Sequence, residues 1–93
     1  MIVGLVTCEC FLYNAHSLKE KRAVLQSLLT KSRNKYNLSS SEVEFQDQWQ
    51  RTKFAFVGVS TSKKVIENEL AGALALIDQH PEIERTETLY EWL

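Results

Sequence analysis

The opening segment limits what this chain can become. Separated by parity, residues 2–13 place Ile2, Gly4, Val6, Cys8, Cys10 and Leu12 on one face of an extended chain and Val3, Leu5, Thr7, Glu9, Phe11 and Tyr13 on the other. Both faces are largely apolar, which suits a strand in the interior of a sheet rather than at its edge. A fold built around this segment needs neighbours on both sides, and the remaining residues supply them.

Asn14 to Glu20 carries a helix-start signature. The Ser17 hydroxyl is placed to accept from the Glu20 amide, and the Glu20 carboxylate to reach back to the Ser17 amide, a capping box. Leu18, Leu25, Leu28, Leu29 and Tyr36 then recur at helical spacing, interrupted by Lys21 and Ser32, and Asn37 offers a left-handed exit, so a helix is expected over residues 17–36. Residues 38–46 alternate weakly and read as an edge strand. The run Asp47-Gln48-Trp49-Gln50-Arg51 has no Asn-Gly turn and implies a longer hairpin. A second strong strand follows over residues 52–59, with Phe54, Phe56 and Gly58 on one face. Ser60 to Ser62 can cap a second helix, whose stripe is Val65, Ile66, Leu70, Ala73, Leu74 and Ile77 and which Pro81 ends. Residues 83–92 supply a last strand.

Two successive strand-helix-strand units give an α+β, ferredoxin-like βαββαβ two-layer sandwich: an antiparallel four-stranded sheet with two helices on one face and the other face open. With 93 residues, three glycines and one proline, the chain has material for one domain, residues 1–93, and little for long loops or a glycine-rich phosphate cradle.

Charge is unevenly distributed. The net charge is −1, yet the first helix carries Lys19, Lys21, Arg22, Lys31, Arg33 and Lys35 against Glu20 alone, while acidic residues dominate beyond residue 64. On a helical wheel Lys19, Arg22, Gln26, Thr30 and Arg33 share one flank, and Lys31 and Lys35 the other. Two readings follow: a face that brackets a phosphate backbone, or a solvated helix whose charges pair with the acidic second helix. Trp49 and Arg51 in the hairpin are candidates to extend a nucleic-acid contact, with a structural alternative in which Trp49 folds over the hairpin and Asp47 pairs with Arg51. Leu5, Phe11, Phe54 and Phe56 are expected to share the open sheet face, where a partner, including a second copy of the chain in a homodimer, would dock.

The chemistry of catalysis is weakly represented. Phe54-Ala55-Phe56-Val57 echoes the base-stacking strand of the RNA-recognition motif, but Thr52, Lys53 and Val59 depart from that pattern. His16 and His80 have no aligned nucleophile, and no metal-ligand spacing is evident. Cys8 and Cys10 point the same way along one strand, so a mutual disulfide is awkward and two buried reduced thiols are expected. No enzyme activity, small-molecule substrate, metal or cofactor is expected. The first residues lack a basic leader, and no run approaches the ~20 apolar residues of a membrane span. The expected location is the cytoplasm, away from membranes.

Ala15-His16-Ser17-Leu18-Lys19-Glu20-Lys21-Arg22, then Glu42-Val43, Asp47 and Trp49-Gln50-Arg51, together resemble the YlxP-like bacterial family, a domain of unknown function, over essentially the whole chain. That resemblance implies the ferredoxin-like fold. It also implies a role around ribosomal RNA or the ribosome, because genes of the family often lie beside those of translation initiation and ribosome-binding factors.

Overall fold

The computed structural model describes residues 1–93. Its elements run β1 (Ile2–Leu12), α1 (Leu18–Lys35), β2 (Ser39–Glu44), β3 (Arg51–Ser60), α2 (Lys63–Asp78) and β4 (Ile83–Trp92). The sheet order is β2-β3-β1-β4, and every pairing is antiparallel. The expected ferredoxin-like arrangement is therefore the observed one, with the doubly apolar β1 at the centre.

Register decides which strand face meets the helices. In the β1–β3 pairing Val6 lies opposite Phe56, Cys8 opposite Phe54 and Cys10 opposite Thr52. All six side chains are buried, together with Leu12 from β1, Leu25 and Leu28 from α1, and Ile66, Leu70, Ala73, Leu74 and Ile77 from α2. Gly4 and Gly58 let α2 come close: a Cβ at Gly4 would sit 2.7 Å from an Ile66 methyl and 2.6 Å from the Trp92 ring, and one at Gly58 would sit 2.9 Å from Leu38.

Both helices start at serine caps. Ser17 Oγ accepts from the Glu20 amide at 3.1 Å, but the Glu20 carboxylate accepts from the His16 amide at 2.7 Å, one residue earlier than a capping box requires. At the exit of α1, Tyr36 is extended and Asn37 is not left-handed; the one non-glycine residue with positive φ is Phe45, at 67°. The Asn37 amide instead donates to Glu69 of α2 at 2.6 Å, which ties the end of one helix to the other.

The topology brings the end of β1, the start of α1, the β2–β3 loop and the start of β4 to one end of the molecule. That end carries Lys19, Lys21 and Arg22 together with Trp49 and Arg51, whereas Lys31, Arg33 and Lys35 lie at the opposite end of α1.

Candidate nucleic-acid interface

Of the six cations on α1, Lys21 behaves differently from the rest. It is 1% exposed, its Nζ lies 2.8 Å from Glu42 Oε2, and it donates to the Phe45 carbonyl at 2.6 Å. Glu42 also accepts from Thr52 Oγ1 at 2.6 Å. Lys21 belongs to the core-facing stripe, and a buried ammonium must be paired and hydrogen-bonded. The expectation that Lys21 lies on an RNA-binding surface is corrected accordingly: its charge is spent joining α1 to β2. Ser32, the other interruption of the stripe, is buried with its hydroxyl 3.3 Å from that of Ser40.

Lys19, Arg22, Lys31, Arg33 and Lys35 are exposed, and none forms an ion pair. The four salt bridges of the protein are Lys21–Glu42, Arg51–Glu9, Lys53–Glu44 and Arg85–Asp78, so the alternative in which α1 pairs its charge with α2 is not the arrangement found. Arg33 donates from Nη2 to the Ser40 carbonyl at 2.6 Å, which places the Arg22 and Arg33 flank beside the edge strand β2. Lys31 borders the cleft towards α2, beside Leu76 and Gln79.

The β2–β3 loop is clamped rather than loose. The left-handed Phe45 turns the chain after a bulge between Glu42 and Glu44, and its carbonyl accepts from both Lys21 Nζ and the Gln48 amide, the latter at 3.0 Å. Gln50 Nε2 donates to the carbonyls of Tyr13 and Ala15, each at 3.1 Å, and its own carbonyl accepts from the Leu12 amide at 2.9 Å. The Arg51 guanidinium stacks 3.9 Å from the centre of the Phe45 ring and donates to Glu9 at 3.1 Å. Arg51 therefore pairs with Glu9 and not with Asp47, contrary to the turn-spanning pair considered above.

Trp49 is 52% exposed, so the hairpin does not bury its indole. With Phe11, Asp47, Gln48, Gln50 and Arg51 it lines an open concavity of about 600 Å³. Phe11 stacks on Tyr13 at 6.0 Å between centroids, which extends the aromatic surface along the same end.

The open sheet face differs from expectation in half of its predicted members. Leu5 and Phe11 lie on it, half-buried, whereas Phe54 and Phe56 are 0% and 2% exposed and pack under the helices. The signal was present: Glu9 shares parity with Leu5 and Phe11, and in antiparallel register it faces Lys53, which forces Phe54 to the opposite side. Val3, Ala55, Val57, Val59 and Leu89 are among the apolar residues that accompany Leu5 and Phe11.

Cys8 and Cys10 are free and fully buried. A hydrogen bond between the two thiols lowers the pKa of Cys8 from its ordinary value, and the same bond, with burial, pushes that of Cys10 far up. Asp78 is held below the usual carboxylate range by the two hydrogen bonds it accepts from Arg85, at 2.9 and 2.8 Å. No three His, Cys, Asp or Glu side chains converge as metal ligands, and no helix is long and apolar enough to cross a membrane.

These features define a ferredoxin-like α+β domain with a cationic helix flank and a clamped aromatic loop at one end. The family described as "Protein of unknown function (DUF503)" matches residues 3–90. The uncharacterized protein YlxP of Bacillus subtilis (strain 168) is 54% identical over 91 residues, which cover 98% of this chain and 99% of that protein. The chain belongs to this family, the one that its motif residues resembled.

Proposed function

We propose that this protein is a non-catalytic cytoplasmic accessory factor that binds structured RNA, with ribosomal RNA or the ribosome as its partner. The observation that carries the reading is that Lys19, Arg22, Lys31, Arg33 and Lys35 are all exposed without ion-pair partners on a single helix of a protein with net charge −1. Segregated, unneutralised cations attract a polyanion at long range, and phosphate contacts give affinity with little base readout. Arg22 and Arg33 lead this contact, with Lys19 at the start of the helix.

Filter binding of ribosomal RNA fragments between 50 and 200 mM salt tests the reading. Three phosphate contacts predict an affinity loss of roughly 30-fold across that range. Charge reversal by Arg22→Glu with Arg33→Glu is expected to abolish most binding without unfolding the chain. Salt-insensitive binding, or binding unaffected by the double reversal, refutes the proposal.

A second reading, self-association through the open sheet face, is favoured by the exposure of Val59 and Leu89 beside Leu5 and Val57. Light scattering of the wild type beside Leu89→Glu distinguishes it: a wild-type monomer removes this reading.

A further inference from the structure

Trp49 and Tyr13 are the exposed aromatic residues of the loop end, and Tyr13 is engaged: its hydroxyl donates to Glu84 at 2.8 Å and its ring stacks on Phe11. Phe45 is covered by the Arg51 guanidinium, and Phe11 is half-buried. The indole, which would gain most from burial, stays half in water on a segment fixed by Lys21, Gln48 and Gln50. Its exposure is therefore imposed by a rigid support.

The polar groups around it are equally unused. The Asp47 carboxylate and the Gln48 side-chain amide make no hydrogen bond or ion pair within the protein. An open, shallow surface with an exposed indole and free polar side chains offers a stacking platform of the kind that unpaired bases use.

Asp47 determines what the ligand can be. A carboxylate beside the indole repels a phosphate but accepts two parallel N–H bonds. Among nucleobases, guanine alone offers two adjacent donors, N1–H and the N2 amino group, on its Watson–Crick edge. Adenine and cytosine offer one amino donor beside an acceptor nitrogen, and uracil sets a single N–H between two carbonyls. Bases are read in this way only where they are unpaired.

We infer that the β2–β3 loop holds one unpaired guanine of a bound RNA, stacked on Trp49 with its Watson–Crick edge on the Asp47 carboxylate. The inference rests on the RNA-binding reading and gives it a base preference that the helix cations cannot supply. The loop and the start of α1 share one end of the molecule, so phosphates 5′ or 3′ of the flipped base run towards Lys19 and Arg22.

Fluorescence titration of a Trp92→Phe protein, in which Trp49 is the sole indole, provides the test. The phenylalanine keeps a ring over Gly4, and circular dichroism verifies the fold. Three probes are compared: the pentanucleotides UUGUU and UUUUU, and free GMP. Saturable quenching by UUGUU at least tenfold tighter than by UUUUU is expected, and Asp47→Asn is expected to erase that ratio. Adding Arg22→Glu and Arg33→Glu should weaken both pentanucleotides together and leave the ratio intact. Equal affinity for UUGUU and UUUUU overturns the guanine site, while salt-sensitive binding of ribosomal RNA fragments in the same preparation would leave the helix reading standing. GMP binding as tightly as UUGUU overturns RNA as the source of the base.

Discussion

Replacing Lys21 by methionine separates the structural lysine of the basic helix from its surface cations. Methionine fills similar volume but removes the ammonium, leaving Glu42 largely buried with only Thr52 Oγ1 donating to it. At 2.8 Å and an effective dielectric constant near 20, the gross attraction is about 6 kcal/mol. Desolvation of both groups offsets much of this, and removing one partner of a buried pair typically costs ~3–5 kcal/mol. Glu42 retains some solvent contact, so Lys21→Met is expected at the lower end, about 3 kcal/mol, in a domain whose whole stability is on the order of 5–14 kcal/mol. With a urea dependence near 1.3 kcal/mol/M, the midpoint falls by roughly 2 M. Urea unfolding followed by circular dichroism measures it, beside Arg22→Met, which should stay within about 0.5 kcal/mol of wild type. Glu42→Gln should cost a similar amount alone, and the Lys21→Met/Glu42→Gln double variant should lose ~1–3 kcal/mol less than the sum of the two. A Lys21→Met shift below about 0.5 M, or additive losses, would refute the buried-pair argument.

Other consequences are open to direct measurement. Phe56→Ala empties a fully buried site and should cost about 3–5 kcal/mol, against roughly 1 kcal/mol for Leu5→Ala on the open face; parallel urea curves decide whether the two faces are assigned correctly. Cys8 and Cys10 should resist a thiol-specific disulfide reagent at pH 8 in the native protein and react together as urea crosses the unfolding midpoint, whereas rapid native labelling of either would contradict their burial. Because Asp78 is depressed in the folded state, its contribution is complete above its unfolded pKa and is lost as pH falls through the folded value. Asp78 is half-exposed, so the difference between wild type and Asp78→Asn should be under ~1 kcal/mol at pH 6 and shrink as pH falls below the ordinary carboxylate range; a difference that grows on acidification would reverse the sign.

Much of the fold was legible because local signals agreed with the global arrangement. The parity of residues 2–13 placed β1 at the centre, Ser17 and the run Ser60 to Ser62 marked the two helix starts, and Pro81 bounded α2. The candidate site was less legible, since its key contacts join residues distant in sequence. Lys21 stood out in the sequence as an interruption of the apolar stripe, but its partners, Glu42 and the Phe45 carbonyl, come from residues more than twenty positions away. The face of Phe54 and Phe56 turned on whether Glu9 or Cys8 faced water, a question of register that Glu9 and Lys53 together could have answered. The exposure of Trp49 had no local signal, because it depends on Gln50 reaching two carbonyls across the β1–α1 connection.

The Gln50 clamp also bears on how likeness between such chains should be read. Lys21, Glu42, Gln50 and Arg51 all build the stage on which Asp47, Gln48 and Trp49 stand. A motif dominated by stage-building residues transmits the shape of a loop from one protein to another and leaves its cargo unspecified. Two chains that share it hold three side chains at the same address, and under the guanine proposal the identity of those three sets what each one reads.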